Sequence, residues 1–173
     1  TVVRGDGGAA VGKQAKVESW LVDGVIAANG RQMRSMVDKV CGSIGAPKGK
    51  TVAIRGLSFK PNTGDLREAP ALYIIEGLRK RGVKVVAFDP VSMRKAEALK
   101  ELKGIEYGAD AYDAARDAHA VAIVTEWNEF RGMDLARLKR VMKKPVLCDL
   151  RNLYKRDEVE GAGFAYVGVG KGV

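Results

Sequence analysis

The residues best suited to chemistry lie in one loop, residues 56–70 of the 173-residue chain. This loop carries Lys60 and Arg67 together with Thr63 and Asp65. Lysine supplies a mobile point charge and arginine a planar fork of donors, and both suit phosphate oxygens. Thr63 or Asp65 is expected to cap the helix that follows, and the N-terminus of a helix attracts anions. The loop therefore predicts a phosphate-binding site, although a solvated connecting loop with a capping residue would have a similar composition.

The loop lies between elements that alternate regularly along the chain. Short apolar runs predict strands at residues 51–55, 83–88, 105–107, 120–125, 145–149 and 164–167. Apolar residues at helical spacing predict helices at residues 68–81, 92–102, 109–118 and 134–142. Such alternation is typical of an α/β protein with a Rossmann-like, doubly wound, mostly parallel sheet and helices on both faces. Because ligands of such sheets bind beyond the carboxyl ends of the strands, we expect function in the loops at that edge.

Two further segments precede this domain, which we assign to residues 47–173. Residues 1–16 are glycine-rich and polar and show no periodicity, so we expect an irregular N-terminal segment. Residues 17–46 carry apolar side chains at helical spacing and predict one long amphipathic linker helix. Gly24 and Gly30 count against this helix, because glycine costs about 1 kcal/mol in a helix interior.

The composition is that of a globular protein, with 46% apolar and 29% charged residues. No apolar run approaches the roughly 20 residues that span a bilayer, and no signal peptide is visible, so we expect a cytoplasmic protein without a membrane partner. The net charge of +9 favours anionic partners. The basic residues are nevertheless spread over helix faces, without the aromatic alternation of single-strand binders. We therefore expect no nucleic-acid partner, and keep a basic nucleic-acid-binding domain as an alternative.

Groups that would perform covalent or metal chemistry are scarce in the sequence. Cys41 falls late in the linker helix and Cys148 in a predicted core strand, and we expect both to be buried as small apolar side chains. His119, the only histidine, begins a predicted strand and is expected to be structural. Asp89 precedes Pro90, and we expect it to form a turn there. The sequence therefore predicts no catalytic residue and no metal site.

Five segments, in order, resemble the UDP-glucose/GDP-mannose dehydrogenase family. The loop itself, GLSFKPNTGDLREAP, is similar to the family signature G-L-[SA]-F-K-x-x-T-x-D-x-R-E-[SA]. AFDP at residues 87–90 resembles the family's YDP, and VTEWNEF at residues 124–130 resembles its VTEW segment. DLRNLY at residues 149–154 resembles DGRN-[LIV]-Y, and ANGRQ at residues 28–32 resembles the family's VNxRQ helix. The resemblance covers the chain from about residue 21 onward, and its VTEW segment is most like that of the enzymes that use UDP-glucose.

The resemblance implies which residues contact ligands. Phe59 and Lys60 resemble residues that contact the UDP-sugar, and Arg67 resembles a residue that reaches the NAD cofactor. Arg151 or its neighbour Asn152 resembles a late contact to the nucleotide sugar. Some members have two arginines at that place, so the resemblance leaves open which of the two positions makes the contact.

The resemblance also implies a reaction, the oxidation of UDP-glucose to UDP-glucuronate by two NAD through a covalent intermediate on a cysteine. Neither a G-x-G-x-x-G fingerprint for NAD nor a cysteine in the family's G-x-C-x-x-K-D context occurs in the sequence. We therefore expect the nucleotide-sugar-binding, C-terminal part of such an enzyme, with NAD bound mainly elsewhere and this chain inactive alone. The alternatives are a UDP-N-acetylhexosamine or GDP-mannose dehydrogenase, or a stand-alone nucleotide-sugar-binding module.

A partner is also implied for the linker helix of residues 17–46. In the family, the corresponding helix forms the core of a dimer. Its apolar face has no evident partner elsewhere in the sequence, so we expect a homodimer through this helix.

Overall fold

A computed structural model describes residues 7–170, and the side chains of residues 23–170. Its centre is one six-stranded sheet in the order β3-β2-β1-β4-β5-β6. The strands are β1 (Thr51–Arg55), β2 (Lys84–Phe88), β3 (Glu106–Tyr107), β4 (Ala120–Ile123), β5 (Val146–Asp149) and β6 (Ala165–Gly168). All neighbouring strands pair in parallel. The prediction of a doubly wound parallel sheet is confirmed, and the chain reverses direction across the sheet between β1 and β4.

Helices cover both faces of the sheet, as predicted. They are α1 (Gly7–Ile44), α2 (Pro70–Lys80), α3 (Met93–Glu97), α4 (Asn128–Arg131), α5 (Leu135–Val141) and α6 (Arg156–Gly161), with 3₁₀ turns at Lys100–Leu102 and Asp113–Ala115. One core cluster packs α1 and α2 against one face, and a second packs α4, α5 and α6 against the other. β4 and β5 are buried at every position, which explains their unbroken apolar character. No helix in the described part of the chain is long and apolar enough to cross a membrane.

The N-terminal segment differs from the prediction. Helix α1 already begins at Gly7, so the expectation of irregular structure for residues 1–16 is wrong for residues 7–16, while residues 1–6 lie outside the described residues. Besides its three glycines, residues 7–16 contain alanine, lysine and glutamine, which are strong helix formers and offset the cost of glycine. The prediction of a long helix over residues 17–46 holds as far as Ile44.

The predicted helix at residues 109–118 is also wrong, because only a 3₁₀ turn forms there. Asp110 accepts hydrogen bonds from the backbone N–H groups of Tyr112 and Asp113, and Asp113 accepts one from Ala109. Such local side-chain bonds compete with helical hydrogen bonds. The predicted helix at residues 92–102 is interrupted by the extended backbone of Leu99 (ψ 133°).

Among the residues of α1 whose side chains are described, 23–44, those buried against the rest of the domain lie in the C-terminal part of the helix. Its buried residues are Met36, Val37, Val40, Cys41 and Ile44, and they pack on α2 and the sheet. Gly77 on α2 faces Val37 so closely that a Cβ atom there would lie 2.8 Å from Val37 Cγ2. The close approach of the two helices therefore depends on the absence of a side chain at residue 77.

This contact predicts opposite effects for two glycine-to-alanine changes in helices. Gly77→Ala is expected to lower the free energy of unfolding by about 1–3 kcal/mol, because overpacking pushes α1 away from α2. Gly42→Ala, at an exposed position of α1 with no atom within 4 Å of the added Cβ, is the matched control. It is expected to raise the free energy of unfolding by up to about 1 kcal/mol. Chemical denaturation measures both, and a Gly77→Ala protein as stable as the Gly42→Ala protein would contradict the described packing.

Candidate functional site

The loops that follow β1, β2, β4 and β5 all leave the same edge of the sheet, because the strands are parallel. The loop after β1 passes directly against the loop after β4 at Gly56. This glycine has φ +89°, and a Cβ atom at this position would lie 2.4 Å from the Cβ of Thr125. Thr125 in turn donates its hydroxyl hydrogen to the carbonyl oxygen of Ser58 (2.7 Å). The close approach at Gly56 and this hydrogen bond hold together the loops on either side of the β1–β4 reversal, where such sheets bind ligands.

Asp89, the first residue after β2, joins three of these loops through one buried carboxylate. Its Oδ2 accepts hydrogen bonds from the backbone N–H groups of Leu57 (2.8 Å) and Ser58 (3.1 Å). The same oxygen accepts the Ser58 hydroxyl (3.0 Å) and the indole N–H of Trp127 (3.3 Å). Asp89 is fully buried, so it fixes the start of the loop after β1 from inside the protein.

The second oxygen of Asp89 shapes the turn after β2. It accepts the backbone N–H groups of Val91 (2.9 Å) and Ser92 (2.8 Å), which is the turn role expected from the sequence. Burial alone would raise the pKa of Asp89, but the N–H donors of Leu57, Val91, Ser92 and Ser58 outweigh burial and hold the pKa below its usual range. The carboxylate therefore stays ionised near neutral pH although it is buried.

Two of the predicted site residues, Phe59 and Lys60, lie at the exposed start of the loop after β1. Phe59 is 46% exposed, and the Lys60 ammonium lies 5.9 Å from the centroid of its ring. The Phe59 N–H donates to the carbonyl oxygen of Asp65 (2.8 Å), which closes the loop. The chain thus presents an aromatic face beside a mobile cation, which suits a ligand with both apolar and anionic parts.

Arg67, the predicted cofactor contact, lies at the far end of the same loop. Its side chain is 89% exposed, and its Nε and Nη2 donate to the two oxygens of Asp65 (3.0 and 2.9 Å). The hydrogen bond from Arg67 lowers the pKa of Asp65 to about 2. A groove of about 970 Å³ adjoins Arg67 and is bounded on its other side by Lys95 and Leu99.

The expected helix cap is not formed by this loop. Thr63 and Asp65 bond within the loop, since Thr63 Oγ1 accepts the N–H of Asp65 (3.1 Å) and Asp65 Oδ1 accepts that of Arg67 (3.0 Å). Helix α2 begins later, with Pro70 in its first turn and Ala69 as a cap that makes no side-chain hydrogen bond. The prediction of a Thr63 or Asp65 cap is therefore wrong, because the loop turns back on itself before the helix starts.

The remaining predicted site residues, Arg151 and Asn152, follow β5. Arg151 forms a two-point ion pair with Glu126, its Nε donating to Oε2 (2.6 Å) and its Nη2 to Oε1 (3.0 Å). This pair lowers the pKa of Glu126. Asn152 is exposed, with the left-handed backbone (φ +53°) that asparagine tolerates. Asp149 holds the loop below them by accepting the N–H of Arg151 (3.2 Å).

All five predicted site residues thus lie in loops at the carboxyl edge, in two groups carried by β1 and β5. Sequence reasoning missed Glu126 and the linking role of Asp89. Signals for both were present, since each is an acidic residue directly beyond a strand predicted from the sequence, in a segment that resembles the family. Their partners are 25 and 32 residues distant in sequence, and no local pattern shows such pairs.

A buried cation, Arg55, lies at the last position of β1. Its guanidinium donates to the carbonyl oxygen of Ala111 and to Met133 Sδ, and lies 6.0 Å from the centroid of the Phe130 ring. Burial lowers its pKa to about 10, which leaves it protonated at neutral pH. It has no salt bridge to a carboxylate among the described residues, so it adds positive charge beneath this edge of the sheet.

The two cysteines and the histidine do not form a reactive centre. Cys148 is fully buried, and burial raises the pKa of its thiol to about 11. Cys41 is also buried, on α1. His119 Nδ1 accepts the N–H of Thr51 (3.0 Å) at the opposite edge of the sheet, which fits the structural role expected for it. Within the described residues, no group of three or more His, Cys, Asp or Glu side chains could hold a metal ion.

Known proteins are similar to this chain in sequence. A family model described as the UDP binding domain of the UDP-glucose/GDP-mannose dehydrogenase family matches residues 53–156. The UDP-glucose 6-dehydrogenase of Rhizobium meliloti (strain 1021) is 43% identical over 152 residues, which are 87% of this chain and 34% of that protein. The UDP-glucose 6-dehydrogenase TuaD of Bacillus subtilis (strain 168) is 39% identical over 161 residues, 93% of this chain and 35% of that protein.

A solved structure shows the same architecture. The UDP-glucose dehydrogenase of the hyperthermophilic archaeon Pyrobaculum islandicum superposes with a TM-score of 0.74 at 27% identity, over 94% of this chain and 35% of that one. The chain thus spans about a third of the length of the relatives that it matches. These findings confirm the family resemblance of the sequence motifs.

The network around Asp89 predicts a pH-dependent loss of stability on removal of its charge. Asp89→Asn is expected to lower the free energy of unfolding by about 3 kcal/mol at neutral pH, because an amide cannot accept from all the N–H donors. The pKa of Asp89 is lowered in the folded state, so its contribution is complete above its ordinary pKa and is lost as the pH falls through the lower, folded value. The difference between wild type and variant should therefore shrink below about pH 4.

Urea denaturation at several pH values measures this difference. Asp23→Asn, at an exposed position of α1, removes the same charge and is expected to change little at any pH. An Asp89→Asn deficit that stays constant down to about pH 3 would show that the ionised carboxylate is not what stabilises the network.

Proposed function

The chain belongs to the UDP-glucose/GDP-mannose dehydrogenase family, and from this premise we propose that it binds the nucleotide part of UDP-glucose at the carboxyl edge of its sheet. The observation that carries the proposal is the placement of Lys60 and Arg151 on two loops at that edge. The diphosphate of the ligand carries two negative charges, which a lysine and an arginine can neutralise. Phe59 offers an exposed aromatic face beside Lys60 for an apolar part of the ligand.

We assign the late nucleotide contact to Arg151 rather than to Asn152. Arg151 presents a charged, planar fork, whereas Asn152 offers only a neutral amide. The ion pair with Glu126 also keeps the Arg151 side chain at the edge where Lys60 lies, instead of leaving it in solvent. Asn152 contributes through its left-handed backbone, which turns the chain after Arg151.

The parent protein is proposed to oxidise UDP-glucose to UDP-glucuronate with NAD, which is the reaction that the family resemblance implies. The relatives in Rhizobium meliloti and Bacillus subtilis are named as UDP-glucose 6-dehydrogenases, which supports UDP-glucose as the substrate. The residues of this chain do not fit the main NAD site. The loop after β1 lacks the glycine pattern that lets a backbone approach a dinucleotide, and Pro70 removes a donor from the first turn of α2. We place that site and the reactive cysteine in the part of the relatives that this chain does not span, with Arg67 as a contact to NAD.

The identity of the sugar part of the ligand is less constrained than that of the nucleotide part. UDP-N-acetylhexosamine and GDP-mannose are the alternative ligands to UDP-glucose. Calorimetric titration with the three nucleotide sugars separates them. UDP-glucose is expected to bind most tightly, and tighter binding of GDP-mannose would contradict the assignment. Tight binding of a generic oligonucleotide without UDP-glucose binding would instead support a nucleic-acid-binding domain.

A cytoplasmic location is proposed as well. Both cysteines are free and buried, as is usual for proteins of a reducing compartment.

Lys60 offers a direct test of the phosphate contact. Lys60→Ala is expected to weaken UDP-glucose binding about tenfold, because a charge-assisted contact to the diphosphate is lost. The stability should not change, since Lys60 is exposed on a loop. Lys103→Ala, an exposed lysine just before β3 at the opposite edge, removes the same charge and should leave the affinity unchanged. Equal affinities of the two variants by calorimetry would count against the role of Lys60.

The N-terminal part of α1 is proposed to pair with a second copy of the chain. Val25 and Ile26 are 59% and 63% exposed, and this part of α1 carries no buried residue from Asp23 to Ser35. Adjacent exposed apolar side chains on a long helix are typical of an interface.

Light scattering is expected to give the mass of a dimer for the wild-type chain. A Val25→Asp, Ile26→Asp double variant should give the mass of a monomer, because charges at these positions cannot be buried against each other. Asp23→Asn is the control and should remain dimeric. A monomeric wild type would contradict the proposed dimer.

A further inference from the structure

The ion pair between Arg151 and Glu126 engages one side of the guanidinium. Glu126 accepts from Nε and Nη2, so the pair uses two of the five N–H donors. Within the described part of the chain, no group hydrogen-bonds to Nη1. A second side of the fork, formed by Nη1 and the remaining hydrogen of Nη2, is therefore left for another acceptor. Phosphate oxygens suit such a two-point arrangement.

The ion pair also fixes where Arg151 lies. Glu126 follows β4 and Arg151 follows β5, so the pair connects the loops of two neighbouring strands at the carboxyl edge. The backbone N–H of Arg151 donates to the buried carboxylate of Asp149, and the side chain of Trp127, the residue after Glu126, donates its indole N–H to Asp89. Buried carboxylates thus hold the Arg151 backbone directly and the neighbour of Glu126 through its side chain.

The second arginine of the site shows the same arrangement. Arg67 donates from Nε and Nη2 to Asp65, and the described residues give its Nη1 no hydrogen bond. Neither pair has the spacing of neighbours on one helix face, where ion pairs commonly arise from helix geometry alone. A carboxylate on the Nε side is therefore a feature common to both arginines that the proposed function assigns to anionic ligands.

We propose that Glu126 is a positioning residue for nucleotide-sugar binding, and that it orients Arg151 so that the free side of the guanidinium meets the diphosphate. This inference rests on the proposed function, because it concerns the same site. In this role Glu126 does not touch the ligand. It reduces the conformations that Arg151 must give up on binding.

The direction in which one substitution changes the affinity distinguishes a positioning role of Glu126 from a purely electrostatic effect of its charge. Glu126 is negative and lies near the proposed diphosphate, so charge alone predicts that its removal tightens binding of an anion. Positioning predicts the opposite. The free energy of unfolding does not distinguish the positioning role from the charge effect, since an ion pair near the surface contributes little to folding.

The experiment is a calorimetric titration of UDP-glucose into wild type and two matched variants. Glu126→Gln is expected to weaken binding about three- to tenfold, the loss typical of freeing one long side chain at an interface. Glu129→Gln removes the same charge three residues along the chain, from an exposed glutamate that makes no salt bridge among the described residues. It is expected to leave the affinity unchanged or slightly tighter.

Two further variants test whether Glu126 acts through Arg151. Glu126→Asp keeps the carboxylate and is expected to retain more affinity than Glu126→Gln. In an Arg151→Lys background, the Glu126→Gln change should have no further effect, because lysine cannot form the two-point pair. Equal, additive losses in both backgrounds would overturn the proposal.

The outcomes distinguish this inference from the function on which it rests. Wild-type chain that does not bind UDP-glucose contradicts the proposed function itself. Wild-type binding combined with unchanged or tighter binding by Glu126→Gln contradicts only the positioning role. Thermal unfolding of each variant shows that it is folded when it is titrated.

Discussion

The candidate site depends on one buried negative charge, the carboxylate of Asp89. It accepts backbone N–H groups from the loop after β1 and from the turn after β2, together with the indole of Trp127 beyond β4. A buried carboxylate is costly unless donors surround it, and here the donors hold its pKa below the usual range. The same bonds that make the charge tolerable also fix three loops relative to one another.

The site therefore contains two kinds of charge with different roles, buried carboxylates and exposed cations. Buried carboxylates hold the backbone of the loops in place. Asp89 does so for the loops after β1 and β2, and Asp149 does so for the loop after β5, where it accepts the N–H groups of Arg151 and Tyr154 and the hydroxyl of Tyr166. Exposed cations on those loops face solvent, where a ligand can reach them. This division explains why substitutions of the surface cations are expected to affect affinity and substitutions of the buried acids to affect folding.

Much of the fold was predictable because its signals are local. The strand at residues 51–55 is found as predicted, since a short apolar run ends at Gly56, where the backbone has a positive φ. Strand and helix alternation was enough to predict the parallel sheet. The helix predicted at residues 109–118 does not form, because Asp110 and Asp113 accept hydrogen bonds from nearby backbone N–H groups. The irregular structure predicted for residues 7–16 is instead helical, because the helix formers of this stretch outweigh its glycines. The site residues came from family motifs, whereas the links through Asp89 and Glu126 join residues far apart in sequence and need the folded chain.

The central claim is that the carboxyl edge of the sheet holds a nucleotide sugar. Its most direct test is the change in backbone amide NMR shifts when UDP-glucose is added to the ¹⁵N-labelled chain. We expect saturable changes that concentrate in the loops after β1, β4 and β5, including Lys60, Glu126 and Arg151. Changes concentrated at the opposite edge, around His119 and Lys144, or the absence of any saturable change, would contradict it.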